Sequence, residues 1–379
     1  MCRGLRSTRS SCADSIGLQS VRDIQFDDET GYLYAGIRMF ADGVVSAEGS
    51  PLYQLWYWLQ SLIISDRVVL YYFNWSALLF VNLLTLWMLF RRLQVPRVLS
   101  IVLLAAFSTL SLFEFWPYVT LLGMAGVGVA MLLVLSGRSW VDTLSRLSAI
   151  FGILAFVRPE FTMSFLLSFL VLAGVSCFEN GAIVRKVGAL AISVAPFLLL
   201  LALFGNPLGG TRSFVAFGQH CSVNVVHSES LRVDPWNNWE EITKRDFGDA
   251  GSALDAWKAN PKRFRWHVWT NVRNLRPVVF GMFGPTFGPL QLQKVLRRFV
   301  LSVIFLGSLA GLHAIYTRRA GNFWSENRPQ ILLLIVTVLA AAPSLISILP
   351  IYPRGHYLLA PCLGIMAFSG WGWESWLSG

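Results

Sequence analysis

The feature that most constrains this chain is a series of long apolar runs separated by short basic loops. About 20 apolar residues suffice for a helix to cross a bilayer, whose hydrocarbon core is about 30 Å thick. With 55% hydrophobic and 14% charged residues, the 379-residue chain is far more apolar than soluble proteins. We therefore predict an all-α, polytopic transmembrane helix bundle of about nine spans. The predicted spans are 68–90, 98–113, 118–136, 147–157 with its continuation 160–177, 188–204, 299–317, 331–349 and 356–371.

The basic residues between these runs indicate the orientation. Four loops, at 91–97, 138–146, 185–186 and 318–328, carry most of them, and the positive-inside rule places such loops in the cytoplasm. Basic residues in these cytoplasmic loops account for most of the net charge of +10, so the charge does not indicate a nucleic acid partner and none is expected. The intervening segments lie outside. Lys294, Arg297 and Arg298 disagree with this assignment, and an interfacial amphipathic helix would accommodate them.

This topology divides the chain into four parts. Residues 1–66 hold the N-terminal segment and the first external loop, 67–204 the first transmembrane helices, 205–298 an external loop subdomain and 299–379 the C-terminal transmembrane helices. The loop subdomain is too small to hold a large core alone and is expected to pack on the membrane domain. No apolar run in residues 1–25 would precede the acidic first loop as a span, so we favour a missing first helix.

Three adjacent carboxylates near the N-terminus, Asp27, Asp28 and Glu29, are the leading candidates for chemistry. At a membrane surface, their repulsion and partial desolvation would raise a pKa or favour a bound divalent cation. The equally open alternative is a solvated helix N-terminus, where carboxylates complement the free backbone amides. The cysteines and histidines show no spacing typical of a metal site.

Further ionisable groups fall on the same predicted external face: Glu114, Arg158 with Glu160, and Arg354 with His356 and Tyr357. Guanidinium groups match phosphate, and a carboxylate can deprotonate an attacking hydroxyl. The alternative is a local ion pair at a helix end, for example between Arg158 and Glu160. Asn74-Trp75-Ser76 fits an N-glycosylation pattern but lies inside a predicted span, so modification is not expected.

Five sequence blocks form a recognisable pattern: Asp28-Glu29 followed by Tyr32-Leu33-Tyr34-Ala35-Gly36, then Asp42-Gly43, Ser50-Pro51-Leu52-Tyr53, the segment 152–160 and the segment 354–361. Together these blocks resemble the polytopic GT-C glycosyltransferases, the superfamily of protein mannosyltransferases and aminoarabinose transferases that use polyprenyl-phosphate sugars. Family members begin with a transmembrane helix before the acidic loop, which residues 1–25 do not supply, and 205–298 matches no family element.

The resemblance implies sugar transfer from a polyprenyl-phosphate sugar to a glycan, lipid or protein acceptor of the cell envelope. It implies that Asp28 acts as general base or metal-associated acid, assisted by Asp27 or Glu29, with Glu114 as an acidic residue of the second external loop. It assigns the lipid phosphate to Arg158 and Arg354, with His356 and Tyr357 beside them. The expected location is the bacterial inner membrane, with the site on the periplasmic side.

Two other classes of function stay open. In a transporter or flippase the same charges would line a translocation path, although the sequence shows neither repeat symmetry nor matching broken helices. A non-catalytic membrane scaffold, derived from a family member that lost its first helix, is the third interpretation.

Overall fold

The computed structural model describes residues 28–41, 43, 46–108, 118–137, 139–178, 182–209, 212–282, 290–317, 328–347, 349–351 and 359–378. These residues form fifteen α-helices and no strand. The helices are α1 Asp28–Ile37, α2 Pro51–Ser61, α3 Arg67–Arg92, α4 Arg97–Ser108, α5 Val119–Ser136, α6 Trp140–Leu154, α7 Phe161–Phe178, α8 Ile183–Phe204, α9 Arg212–Glu229, α10 Trp239–Phe247, α11 Ala253–Ala259, α12 Pro261–Met282, α13 Leu290–Thr317, α14 Arg328–Ser347 and α15 Leu359–Ser378.

Six of the described helices are long and apolar enough to cross a membrane: α3, α5, α7, α8, α14 and the part of α13 from Arg297 to Thr317. The all-α prediction is confirmed. The other three predicted spans are not confirmed. α6 has 15 residues, α15 carries Glu374 and three tryptophans in its second half, and α4 has 12 described residues, after which the next nine lie outside the described part of the chain.

Helix α5 lies at the centre of the bundle and packs against α3, α6, α14 and α15. Of the six candidate spans it has the largest buried share, 61%. Small residues allow this close packing, because a Cβ at Gly128 would collide with Thr85 of α3, and one at Gly126 with Leu154 of α6. The buried amide of Asn82 donates a hydrogen bond to the Leu121 carbonyl at 3.0 Å, which ties α3 to α5.

Helices α13 and α15 pack closely against each other. Gly307 and Gly311 of α13 are four residues apart, the spacing that lets two helix backbones approach within a membrane. A Cβ built at Gly372 of α15 would collide with the carbonyl oxygen of Gly307. The indole N–H of Trp373 donates to the Val303 carbonyl at 2.9 Å, so this contact also has a polar component.

Helices α9 to α12 occupy most of the predicted loop 205–298. Phe217, Val225, Ile242 and Phe247 are buried in an apolar cluster of their own, which packs α9 against α10. Helix α13 already begins at Leu290, so the predicted part boundary after residue 298 falls inside it. The cations at 294, 297 and 298 therefore belong to the first turns of a continuous 28-residue helix and not to a separate interfacial helix.

Candidate functional site

Helix α1 begins at Asp28, so two of the three predicted carboxylates lie in its first turn. Carboxylates are stabilised there because the first backbone N–H groups of a helix have no partner within the helix. Successive side chains of a helix point about 100° apart, and the two neighbours differ accordingly. Asp28 is exposed, whereas Glu29 is fully buried at 0% exposure. Both residues lie at a helix N-terminus, but the solvated position expected there applies to Asp28 and not to the buried Glu29.

The Glu29 carboxylate accepts hydrogen bonds from three close donors, and the side-chain amide of Asn74 is a fourth donor to Oε1 at 3.4 Å. Tyr53 donates its hydroxyl to Oε1 at 2.5 Å, and the Tyr57 hydroxyl donates to the same oxygen. The backbone N–H of Tyr118, just before α5, donates to Oε2 at 2.6 Å. Tyr53 and Tyr57 are four residues apart on α2 and therefore lie on one face of that helix. Glu29 thereby joins α1 to α2 and to the central helix α5.

The side-chain amide of Asn74, on the span α3, completes this network. Its Nδ2 donates to the hydroxyls of Tyr53 at 2.8 Å and Tyr57 at 2.9 Å. Its Oδ1 accepts from the indole of Trp56 at 2.7 Å and from Gln60 at 3.2 Å. A buried amide inside an apolar segment is costly unless it is bonded on both sides, and here it is. The short helix α2 is therefore fixed to α3 by polar contacts.

Burial raises the pKa of Glu29 to about 7, and the three donors offset that effect only in part. Burial, followed by the charge of Glu29, also raises the pKa of Tyr53 and Tyr57 well above 10.0, so both hydroxyls remain protonated donors. None of these groups lies in a candidate span. Glu29 is enclosed by its partners, whereas Asp28 is the carboxylate that solvent or a substrate can reach.

A second junction joins α2 to the turn that precedes Arg158. The backbone N–H of Leu52 donates to the Phe156 carbonyl at 3.2 Å. Ser50, at the start of α2, is buried and has a φ of 61°, a left-handed conformation that reverses the chain just before Pro51. Two of the five sequence blocks behind the resemblance, 50–53 and 152–160, thus contact each other.

Arg158 lies at the edge of a small cleft at this end of the bundle. It forms an ion pair with Glu160, and the two side chains are 14% and 23% exposed. The cleft opens to the surface, and the volume inside it is small, about 20 Å³. Thr120, which is part of its lining, is only two residues beyond the Glu29-bound Tyr118. The lining consists of Thr120, Arg158, Glu160, Phe161, Ala340, Pro343, Ser344 and Ala360.

The structure thus brings Asp28, Glu29 and Arg158 to one end of the helix bundle. Arg158 and Glu160 form the local ion pair that was the alternative to phosphate binding, so any anion that binds Arg158 competes with Glu160. The other predicted site residues, Asp27, Glu114, Arg354, His356 and Tyr357, lie outside the described residues. No group of three or more histidine, cysteine or carboxylate side chains suited to a metal ion occurs within the described ranges.

Sequence reasoning did not identify Tyr57 and Asn74 as part of the site, and it noted Tyr53 only as part of a motif. The available signals were two tyrosines at helical spacing before the first span and an asparagine inside it. Asn74 was interpreted only as a potential glycosylation acceptor. It is fully buried, which agrees with the expectation that it is not modified.

Fold and site together define an all-helical protein, compatible with multi-pass insertion in a membrane, that carries a polar site at one end of its helix bundle. Comparison with known protein families, with curated proteins and with solved structures found no match.

Proposed function

We propose that this chain transfers a sugar from a polyprenyl-phosphate sugar to an acceptor at the external face of a membrane, as a GT-C-type glycosyltransferase. The observation that carries the proposal is the docking of the α1–α2 segment onto the turn before Arg158. The Leu52–Phe156 hydrogen bond makes this contact, and the Glu29–Tyr118 hydrogen bond holds the same segment against α5. An accessible carboxylate and a guanidinium therefore belong to one end of the bundle.

In this reaction the Asp28 carboxylate takes the proton of the acceptor hydroxyl. The acceptor oxygen attacks the anomeric carbon, the bond from that carbon to the phosphate oxygen breaks, and its electron pair leaves with the polyprenyl phosphate. Arg158 stabilises the charge of the leaving phosphate, a contact that is stronger where water is excluded. Glu29 acts as a positioning residue because its carboxylate is enclosed by its hydrogen-bond donors.

The proposal also assigns roles to the other predicted site residues. Arg354, His356 and Tyr357 precede Ala360, which lines the Arg158 cleft, and would complete the phosphate site. Asp27 and Glu114 would assist Asp28, because Asp27 is its neighbour in sequence and Glu114 shortly precedes Tyr118.

The proposal includes a membrane topology. The helices α4, α6 and α15 would complete a nine-span bundle. The region 205–298 would lie on the periplasmic side of a bacterial inner membrane. There it would recognise a glycan, lipid or protein acceptor.

A turnover assay tests the proposal. The protein is reconstituted in liposomes with polyprenyl-phosphate hexoses and pentoses, and release of polyprenyl phosphate is measured. Loss of a general base typically lowers a rate by about 10²- to 10⁴-fold, so Asp28→Asn should fall in that range. Asp142→Asn, a partly exposed carboxylate paired with Arg185, serves as the control. Turnover by Asp28→Asn at the wild-type rate would refute the assignment.

The same liposomes distinguish the transporter or flippase alternative. Under that alternative, labelled donor crosses the bilayer in the presence of the protein while no polyprenyl phosphate is released. Under the proposal, release occurs and Asp28→Asn blocks it.

A further inference from the structure

Helix α12 has one exposed face on which cations flank a tryptophan and a valine. Lys262, Arg265, Trp269, Val272 and Arg276 recur at intervals of three or four residues, which places them along a single helix face. All five are exposed, Trp269 by 55% and Val272 by 38%. This face is apolar in its middle and positively charged towards both ends.

The charge on this helix is of one sign only. α12 carries five lysines and arginines and no aspartate or glutamate. Arg263 is engaged in ion pairs with Glu229 and Asp246, whereas Arg273 lies over the Trp269 ring at 5.2 Å. The Arg273 stack adds a further cation beside the exposed tryptophan. A surface of this kind complements an anion-rich partner.

Two buried contacts fix the position of α12 along the axis of the candidate spans. His267 is hydrogen-bonded through Nε2 to the Pro350 carbonyl at 2.9 Å, and the Asn271 amide donates to the Leu349 carbonyl at 3.0 Å. Both carbonyls lie in the turn directly after the candidate span α14. The middle of α12 is therefore at the level where a span leaves the membrane.

The second half of α12 also contacts the bundle. Leu275, Val278 and Val279 pack against the main apolar cluster, which includes residues of the candidate spans. An amphipathic helix at this level, with tryptophan between basic residues, has the composition of helices that lie in the headgroup layer.

We propose that the exposed face of α12 binds the anionic lipid headgroups of the bilayer in which the helices are embedded. Trp269 and Val272 enter the layer below the headgroups, and Lys262, Arg265 and Arg273 contact the lipid phosphates. The proposal rests on the membrane insertion of the bundle and is independent of sugar transfer.

Native mass spectrometry of the full chain in detergent, titrated with phosphatidylglycerol or phosphatidylcholine, tests this proposal. Each basic residue near an anionic membrane surface contributes about fivefold in affinity, so the triple variant Lys262→Gln/Arg265→Gln/Arg273→Gln should lose at least that much preference for phosphatidylglycerol. The matched control Arg232→Gln/Lys244→Gln/Lys258→Gln removes three exposed cations from the same region outside α12. It should retain the wild-type preference.

Equal phosphatidylglycerol preference in the triple variant and the wild type would overturn the proposal, and so would an equal loss in the control, because the binding would then not belong to this face. If the triple variant does not fold, the single variants Arg265→Gln and Arg273→Gln are compared with Lys258→Gln. Each of the two must lose several-fold preference while Lys258→Gln loses none.

Discussion

Oε2 of Glu29 accepts a 2.6 Å hydrogen bond from the backbone N–H of Tyr118, 89 residues further along the chain. This bond ties the first described helix to the start of α5, the helix at the centre of the bundle. The N–H groups at a helix start lack partners within the helix, so a carboxylate is well suited to this place. Burial of Glu29 also fixes the position of Asp28, its exposed neighbour. The position of the proposed base therefore depends on a residue that is itself inaccessible.

Replacing Glu29 with alanine should destabilise the protein strongly. The hydroxyls of Tyr53 and Tyr57 and the N–H of Tyr118 would each lose an acceptor, and a buried donor left unpaired costs about 1–3 kcal/mol. We expect the free energy of unfolding at pH 6 to fall by at least about 3 kcal/mol, measured in detergent by thermal and denaturant unfolding. Asp28→Ala, one residue away and exposed, should change it by less than about 0.5 kcal/mol. Similar losses in the two variants would contradict the network.

The pKa of Glu29 gives a pH dependence with a defined sign. Folding raises this pKa from 4.5 to about 7, so the native state holds a proton that the unfolded chain releases. The stability contributed by Glu29 is complete below pH 4.5 and is lost as the pH rises through about 7, by about 3 kcal/mol in total. The unfolding free energy of the wild type minus that of Glu29→Gln should therefore decrease between pH 4.5 and 8. If this difference in unfolding free energy stays constant or rises with pH, burial does not raise the pKa of Glu29.

The amino-acid sequence predicted the membrane-length helices better than it predicted the site. Apolar length predicted α3, α5, α7, α8 and α14 closely, because a span needs only a certain number of apolar residues. The described part of α4 covers 97–108 of the predicted span 98–113, and residues 109–113 lie outside the described residues.

The sequence could not decide which carboxylate is buried. That depends on the rotation of α1 about its axis, which is set by Tyr53, Tyr57 and Tyr118 from distant parts of the chain. Asn74 was missed for a similar reason. Its hydrogen-bond partners lie on α2, and the sequence pattern does not indicate that this helix packs against α3.

His267 should produce a pH dependence of opposite sign. Burial lowers its pKa from 6.5 to about 4. Between these two pH values the unfolded chain binds a proton at His267 and the native state does not. The stability contributed by His267 is complete above pH 6.5 and is lost as the pH falls towards 4, by about 3 kcal/mol. The wild-type unfolding free energy minus that of His267→Gln should decrease over that range. If the difference does not change with pH, His267 is not held neutral by burial.

The contact between α13 and α15 predicts opposite effects for two glycine substitutions. A Cβ at Gly372 meets the backbone of α13, so Gly372→Ala must separate the two helices and should lower the thermal midpoint by several degrees. Gly188 of α8 has no atom within 4 Å of the corresponding position. There alanine should leave the midpoint unchanged or raise it, because alanine favours a helix by up to about 1 kcal/mol over glycine. A lower midpoint for Gly188→Ala than for Gly372→Ala would contradict the packing.

Binding of undecaprenyl phosphate to the purified protein tests the proposed site most directly, because it separates the phosphate contact from the base. Loss of a hydrogen bond to a charged group costs about 1.5–3 kcal/mol, so Arg158→Gln should bind undecaprenyl phosphate about 10- to 100-fold more weakly than the wild type. Asp28→Asn should bind it as tightly as the wild type and yet release no polyprenyl phosphate from a sugar donor. Wild-type binding by Arg158→Gln, together with turnover by Asp28→Asn, would contradict the account.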